Sequence, residues 1–152
     1  MSKLSTVCFN IKSSWHIIAK MYNEQAAQHG LSSSVAYVLL SIDEQEGTPA
    51  THIGPLVGME SRSLTRMLST LEQANLIYRL QDNKDKRLVR ILLTEEGKAK
   101  KEIAKAVIRK FNTAVKSTVP KEKLITFFEV ISQINQIANE HKRNHHFNTS
   151  EI

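Results

Sequence analysis

The segment Ser61-Arg62-Ser63-Leu64-Thr65-Arg66-Met67-Leu68-Ser69-Thr70-Leu71 spaces Leu64, Leu68 and Leu71 so that they share one inward face of a helix. The opposite face presents Ser61, Arg62, Ser63, Thr65, Arg66 and Ser69. Short hydroxyls and arginines allow close approach to phosphate oxygens and base edges, which bulkier side chains would prevent. A plain solvated face is the competing reading of the same residues, so the neighbouring segments decide between them.

Just downstream, Asn75 stands where the chain must turn, and asparagine tolerates the left-handed conformation. Leu76 to Leu80 reads as a strand, Gln81-Asp82-Asn83-Lys84-Asp85-Lys86 as a polar turn, and Arg87 to Leu93 as the return strand, with Val89, Ile91 and Leu93 on one face. Upstream, Ser32-Ser33-Ser34 supplies cap oxygens for a short helix carrying Val35, Val38, Leu39 and Ile42 that stops near Gly47. Thr48-Pro49-Ala50-Thr51 is a turn and cap signal, followed by a brief helix with Ile53, Leu56 and Val57 that ends at Gly58. Thr51 at its start joins the groove-facing candidates.

Further out, Cys8, Ile11, Trp15, Ile18 and Tyr22 form one stripe of a long first helix, with Val7, Ile17 and Met21 off that stripe. Gly30 ends it. At the other side Thr94 caps a helix with Glu95 and Glu96 in its first turn, followed by Ala104, Ile108, Phe111 and Val115 with Ile103 and Val107 beside them. Pro120 opens a last helix with Leu124, Phe127, Phe128, Ile131, Ile134, Ile137 and Ala138. Stripes this wide exceed what a small monomer can cover, and a second copy of the chain is the simplest partner.

The whole is 152 residues with a formal net charge of +6 and one cysteine, which suits one domain's worth of protein in a reducing compartment and excludes a disulfide scaffold. Ser61 to Arg90 holds seven basic against three acidic residues, a basis for a polyanionic partner. The lysine-rich run from Lys98 to Lys123 reads as solvated helix faces. Neither a spanning apolar run nor an apolar signal region is present, so a cytoplasmic protein with no membrane partner is expected.

A long helix, three short helices and a hairpin, closed by two apolar helices, give a mainly α fold with a small β hairpin: a winged helix-turn-helix flanked by dimerisation helices. The expected boundaries are 1–30 and 98–141 for the dimerisation helices, 31–97 for the DNA-binding lobe and 142–152 for a flexible tail. Two-fold symmetry then predicts a homodimer on a pseudo-palindromic double-stranded operator.

Asp82-Asn83-Lys84-Asp85-Lys86-Arg87, followed by Leu93-Thr94-Glu95-Glu96-Gly97, resembles the wing signature D-P-x-D-R-R with L-T-x-x-G of the MarR family of bacterial transcriptional regulators. The resemblance runs from the first helix to about residue 141. Asn83 replaces the usual Pro, Lys86 one Arg, and Asn75 stands where the family often has Gly. Lys86 keeps charge but loses bidentate reach. The resemblance implies that Asp85 and Arg87 brace the wing while Lys84 or Arg87 reaches the groove, with Lys86 beside them, and that the protein is a regulator, a repressor in the usual case. It also implies a small aromatic or lipophilic effector between dimer layer and lobes, for which Trp15, Tyr22 and Tyr37 are the candidate lining, against the ordinary reading of aromatics as core.

Val7-Cys8-Phe9 resembles the start of the peroxide-sensing branch of the family, in which oxidation of such a cysteine releases DNA. Tyr22 matches one tyrosine of that branch, whereas Lys12 and Ser33 stand where others are expected. His141, His145 and His146 lack companion ligands at metal spacing, so neither metal nor cofactor is expected. No glycine-rich phosphate loop, G-x-S-x-G or H-E-x-x-H occurs, and Asp82 and Asp85 lie among lysines at a hairpin tip, unsuited to acid–base work, so no catalytic residue is assigned. The alternative to a specific reader is a winged-helix module serving a protein partner or binding nucleic acid without sequence preference.

Overall fold

A computed structural model describes residues 6–145. Helix α1, Val7–Ala27, starts where the Thr6 hydroxyl accepts from the Phe9 amide and is followed by Gly30 at φ 68°. Helix α2, Ser33–Ser41, is capped by Ser32 Oγ on the Val35 amide at 3.2 Å, and the Ser33 amide donates to Asn23 Oδ1 at 2.9 Å, fastening α2 to α1. After α2 come β1, Thr48–Pro49, and the eight-residue α3, Ala50–Val57, closed by Gly58 at φ 66°. Helix α4, Ser61–Gln73, leads through Asn75, at φ 55°, into β2, Ile77–Gln81, and β3, Val89–Leu93. The chain continues as α5, Glu95–Thr118, and α6, Lys121–His145.

The strands form one antiparallel sheet in the order β1-β3-β2, with Ile77 opposite Leu93, Arg79 opposite Ile91 and Thr48 opposite Ile91 from the other side. The expected hairpin is thus part of a three-stranded sheet. Two residues are too few to show strand alternation, so β1 reads from sequence only as a turn; Pro49 is tolerated there because an edge strand loses little by its missing N–H.

The core joins Val38 and Leu39 of α2 with Ile42 just after it, Ile53 of α3, Leu64, Leu68 and Leu71 of α4, Leu76 just before β2, and Ile77, Ile91 and Leu93 of the sheet. Each such side chain contributes about 1.5–3 kcal/mol on burial. Because α4 spends its three leucines on this core, its polar face is held outward. Leu56, read with Ile53 as apolar patterning, is instead 68% exposed; α3 buries only Ile53 and Gly54.

The chain divides into two compact units, residues 1–109 and 110–152, with the boundary inside α5. In the first, α1 leaves Val7, Phe9, Ile11, Trp15 and Ile17 exposed, while Tyr22 and Ala26 are buried. In the second, α6 exposes Ile125, Phe127, Phe128, Val130 and Ile137. α6 extends through His145, beyond the expected start of the tail at Lys142; residues 1–5 and 146–152, His146 among them, lie outside the described residues.

The lysines of early α5 differ from the solvated reading. Lys101 is 6% exposed and donates to the Ile42 carbonyl, Lys100 donates to the His29 carbonyl at 2.7 Å, and Lys105 pairs with Glu44 at 2.7 Å. Cations at helix C-terminal ends satisfy carbonyls that no amide reaches.

Candidate nucleic-acid interface

The exposed face of α4 carries Ser61, Arg62, Ser63, Thr65 and Arg66, with Ser69 half-buried at its far end. The Thr65 hydroxyl donates to the Ser61 carbonyl at 2.8 Å, leaving its oxygen free to accept. Arg62 and Arg66 make no ion pair among the described residues, so both charges are available to a ligand. Thr51, exposed in the first turn of α3, shares with Ser61 and Thr65 an open groove of about 520 Å³ between α3 and the start of α4.

Beside α4 stands the wing. At its root Arg79 Nε donates to Glu72 Oε2 at 3.0 Å and its Nη2 reaches Ser69 Oγ at 3.5 Å, so Ser69 already has a partner within the fold. At its tip Asp85 holds Arg87 through both carboxylate oxygens, each at 3.1 Å, and accepts the Arg87 amide at 3.0 Å. The Arg87 side chain is nevertheless 90% exposed, and Lys84 and Lys86 are exposed without an ion partner among the described residues.

Asp82 is the residue that sequence reasoning misplaced. Expected at a solvated tip, it is 6% exposed, accepts the amides of Lys84 at 2.7 Å and Asp85 at 2.9 Å, and is paired with Arg90 Nε. The Asp85 amide above all, then the Arg90 guanidinium and the Lys84 amide, hold its carboxyl down at about 2, below the ordinary 3.8. A carboxylate so stabilised is an organiser of backbone and no proton donor near neutrality. Its stabilisation is complete above pH 3.8 and is lost as pH falls toward about 2. Asp82→Asn is therefore expected to lower the melting midpoint at neutral pH and to flatten its fall between those two pH values; an unchanged acid limb would show that another group carries it.

The aromatic candidates split. Tyr22 and Tyr37 line a cavity with Leu31, Leu40, Ala104 and Val107, whereas Trp15 lies outside it, its ring 5.9 Å from that of Tyr37. The cavity volume is about 20 Å³, room for about one water. Burial pushes both tyrosine hydroxyls above their usual pKa, so both are neutral donors at neutral pH. Cys8 is exposed in the first turn of α1. Tyr22 lies fourteen residues on, about 21 Å along the helix, so thiol and tyrosine do not meet within one chain. His141 is an exposed α6 residue; no group of three or more metal-ligating side chains occurs among the described residues. Nor, among them, is any helix long and apolar enough to cross a membrane.

A short α3, a turn at Gly58 and an outward-facing α4, flanked by a β2–β3 wing with a cationic tip, define a winged helix-turn-helix DNA-binding protein. The MarR family profile matches residues 31–89. The HTH-type transcriptional regulator SarZ of Staphylococcus epidermidis is 30% identical over 116 residues, 74% of this chain and 78% of SarZ. TtmR of Methylorubrum extorquens, also an HTH-type transcriptional regulator, is 33% identical over 97 residues, 64% of this chain; those residues span 50% of TtmR. The chain belongs to the MarR family, whose members are transcriptional regulators and not enzymes. Its fold is shared with S. aureus MepR in a DNA complex (TM-score 0.78, 18% identity, 86% of this chain and 97% of MepR). It is shared equally with CouR from Rhodococcus jostii RHA1 bound to p-coumaroyl-CoA (TM-score 0.77, 20% identity, 86% and 92%).

Proposed function

We propose that this chain is a homodimeric, sequence-specific repressor acting on cytoplasmic DNA, reading a pseudo-palindromic operator with α4 in the major groove and the wing tip alongside. The observation that carries the reading is that Arg62 and Arg66, on the outward face of α4, have no ion pair among the described residues and stand with the exposed Lys84 and Lys86 of a braced wing. Ser61, Ser63, Thr65 and Thr51 supply hydroxyls at the same face, and Arg87 adds a charge whose geometry Asp85 fixes. The exposed apolar residues of α1 and of α6 supply the dimer surface.

The apolar lining under Tyr22 and Tyr37 matches a small aromatic or lipophilic effector in polarity, and the ligand-bound CouR supports a small molecule in a protein of this fold. At about 20 Å³ the cavity must widen to take one, so effector binding and a movement of α1, α2 or α5 are one event.

The test is fluorescence anisotropy of the reduced protein with a duplex enriched from a random pool, against a scrambled duplex, over a salt series. A preference of at least about a thousandfold that survives near-physiological salt is expected. Equal, steeply salt-dependent binding to both duplexes would instead mark a non-specific binder. In the same assay Lys84→Ala is expected to weaken both duplexes alike and to reduce the salt slope by about one unit; a loss confined to the enriched duplex would make Lys84 a base reader.

A further inference from the structure

The loop between α2 and β1, residues 42–47, is gripped from two directions. From α5, Lys101 Nζ donates to the Ile42 carbonyl at 2.5 Å and lies 3.3 Å from Glu44 Oε1, and Lys105 Nζ reaches the same oxygen at 2.7 Å. From the wing, Arg90 Nη1 donates to the carbonyls of Glu46 at 3.2 Å and Gly47 at 3.3 Å, while its Nε is spent on Asp82. Asp82 in turn holds the amides of Lys84 and Asp85.

Between its two ends the loop is stiff. Asp43 Oδ1 accepts the amides of Gln45 and Glu46 at 2.9 and 2.8 Å, and the Asp43 amide donates to Thr48 Oγ1 at 2.9 Å. Gly47, at φ 67°, sits so close to β3 that a Cβ there would lie 2.7 Å from the Ile91 carbonyl oxygen. Lys101, almost wholly buried, cannot swing its ammonium into water without giving up its hydrogen bond to the Ile42 carbonyl. A displacement of α5 therefore pulls on Ile42 and Glu44, and a stiff loop passes it to Arg90.

We propose that residues 42–47 couple α5 to the wing tip, with Lys101, Lys105 and Glu44 as positioning residues at one end and Arg90 and Asp82 at the other. Ile103, Ala104, Val107 and Ile108 of the same α5 wall the apolar cavity, so a molecule that widens it acts on the wing through this loop. The consequence for DNA rests on the reading of the wing as a DNA contact; the coupling itself does not.

Glu44→Gln tests it, because Glu44 is exposed and glutamine keeps its size and an acceptor oxygen while removing the charge that Lys101 and Lys105 share. Amide hydrogen exchange without DNA is expected to run at least threefold faster at Lys84 and Asp85, with Ile91 and Leu93 unchanged. Wing-tip exchange equal to that of the parent protein overturns the coupling. On the enriched duplex, Glu44→Gln, Asp82→Asn and the double variant complete the test. Coupling predicts that the double variant loses little more than the worse single one, whereas a loss equal to the product of the two overturns it. Faster wing-tip exchange with full DNA affinity keeps the coupling and removes the wing tip from the DNA contact.

Discussion

Gly97→Ala is expected to destabilise the protein by about 3 kcal/mol, with α5 and the sheet loosening together. An alanine Cβ at this position would lie 1.9 Å from the Leu76 carbonyl oxygen and 3.0 Å from its carbonyl carbon. Neither side can yield cheaply. The Leu76 carbonyl accepts the Thr94 amide at 3.1 Å and the Leu76 amide donates to Leu71 at 2.9 Å, while Gly97 is tied by its own amide to Thr94 Oγ1 at 3.0 Å. Thr94 Oγ1 donates to the Asn75 carbonyl at 2.7 Å, so the start of α5 and the turn before β2 form one bonded unit. Overpacking against flexible side chains costs about 1–3 kcal/mol, and backbone on both sides places this case at the top of that range. Helix propensity alone argues the other way, favouring alanine over glycine by about 1 kcal/mol. The sign of the change thus separates the two effects. At this chain length the melting midpoint should fall by roughly 6–12 °C; a rise would mean that α5 does not approach Leu76 as described.

Arg66→Ala is expected to leave the fold intact and to weaken binding to the enriched duplex by about 1–3 kcal/mol, roughly 5- to 150-fold. Its guanidinium makes no ion pair among the described residues, and alanine is the stronger helix former, so the melting midpoint should hold. The loss should exceed that on a scrambled duplex, because a bidentate contact to a base edge discriminates and a phosphate contact does not. A folded variant with undiminished preference for the enriched duplex would remove Arg66 from the readout. Side by side with Lys84→Ala, which should weaken all sequences alike, the pair distinguishes reading from anchoring.

Helix α4 was legible because its pattern is local: Leu64, Leu68 and Leu71 define the buried face, and Asn75 takes the left-handed turn that its position demands. The wing was legible through Asp85 and Arg87, two residues apart, and the Thr94 cap through its place before two glutamates. What escaped depends on partners far along the chain. Lys101 is buried by Ile42, 59 residues away, and Arg90 meets Glu46 across 44 residues, so both look like solvated cations in a charged run. Asp82 looks the same for a different reason: its burial follows from the fold of the wing tip and the reach of Arg90, neither of which spacing specifies. Gly97 was visible as a motif letter, but its cause, the Leu76 carbonyl, lies in another element. The cavity draws its walls from α1, α2 and α5, and no single helical stripe announces it.

Trp15 is the only tryptophan of the chain, and its ring stands 5.9 Å from that of Tyr37, itself 6.3 Å from Tyr22. At such separations light absorbed by the phenols passes to the indole. Parting α1 from α2 would change what surrounds the indole and so shift its emission, and the protein thereby contains its own optical gauge of the gap between these two helices.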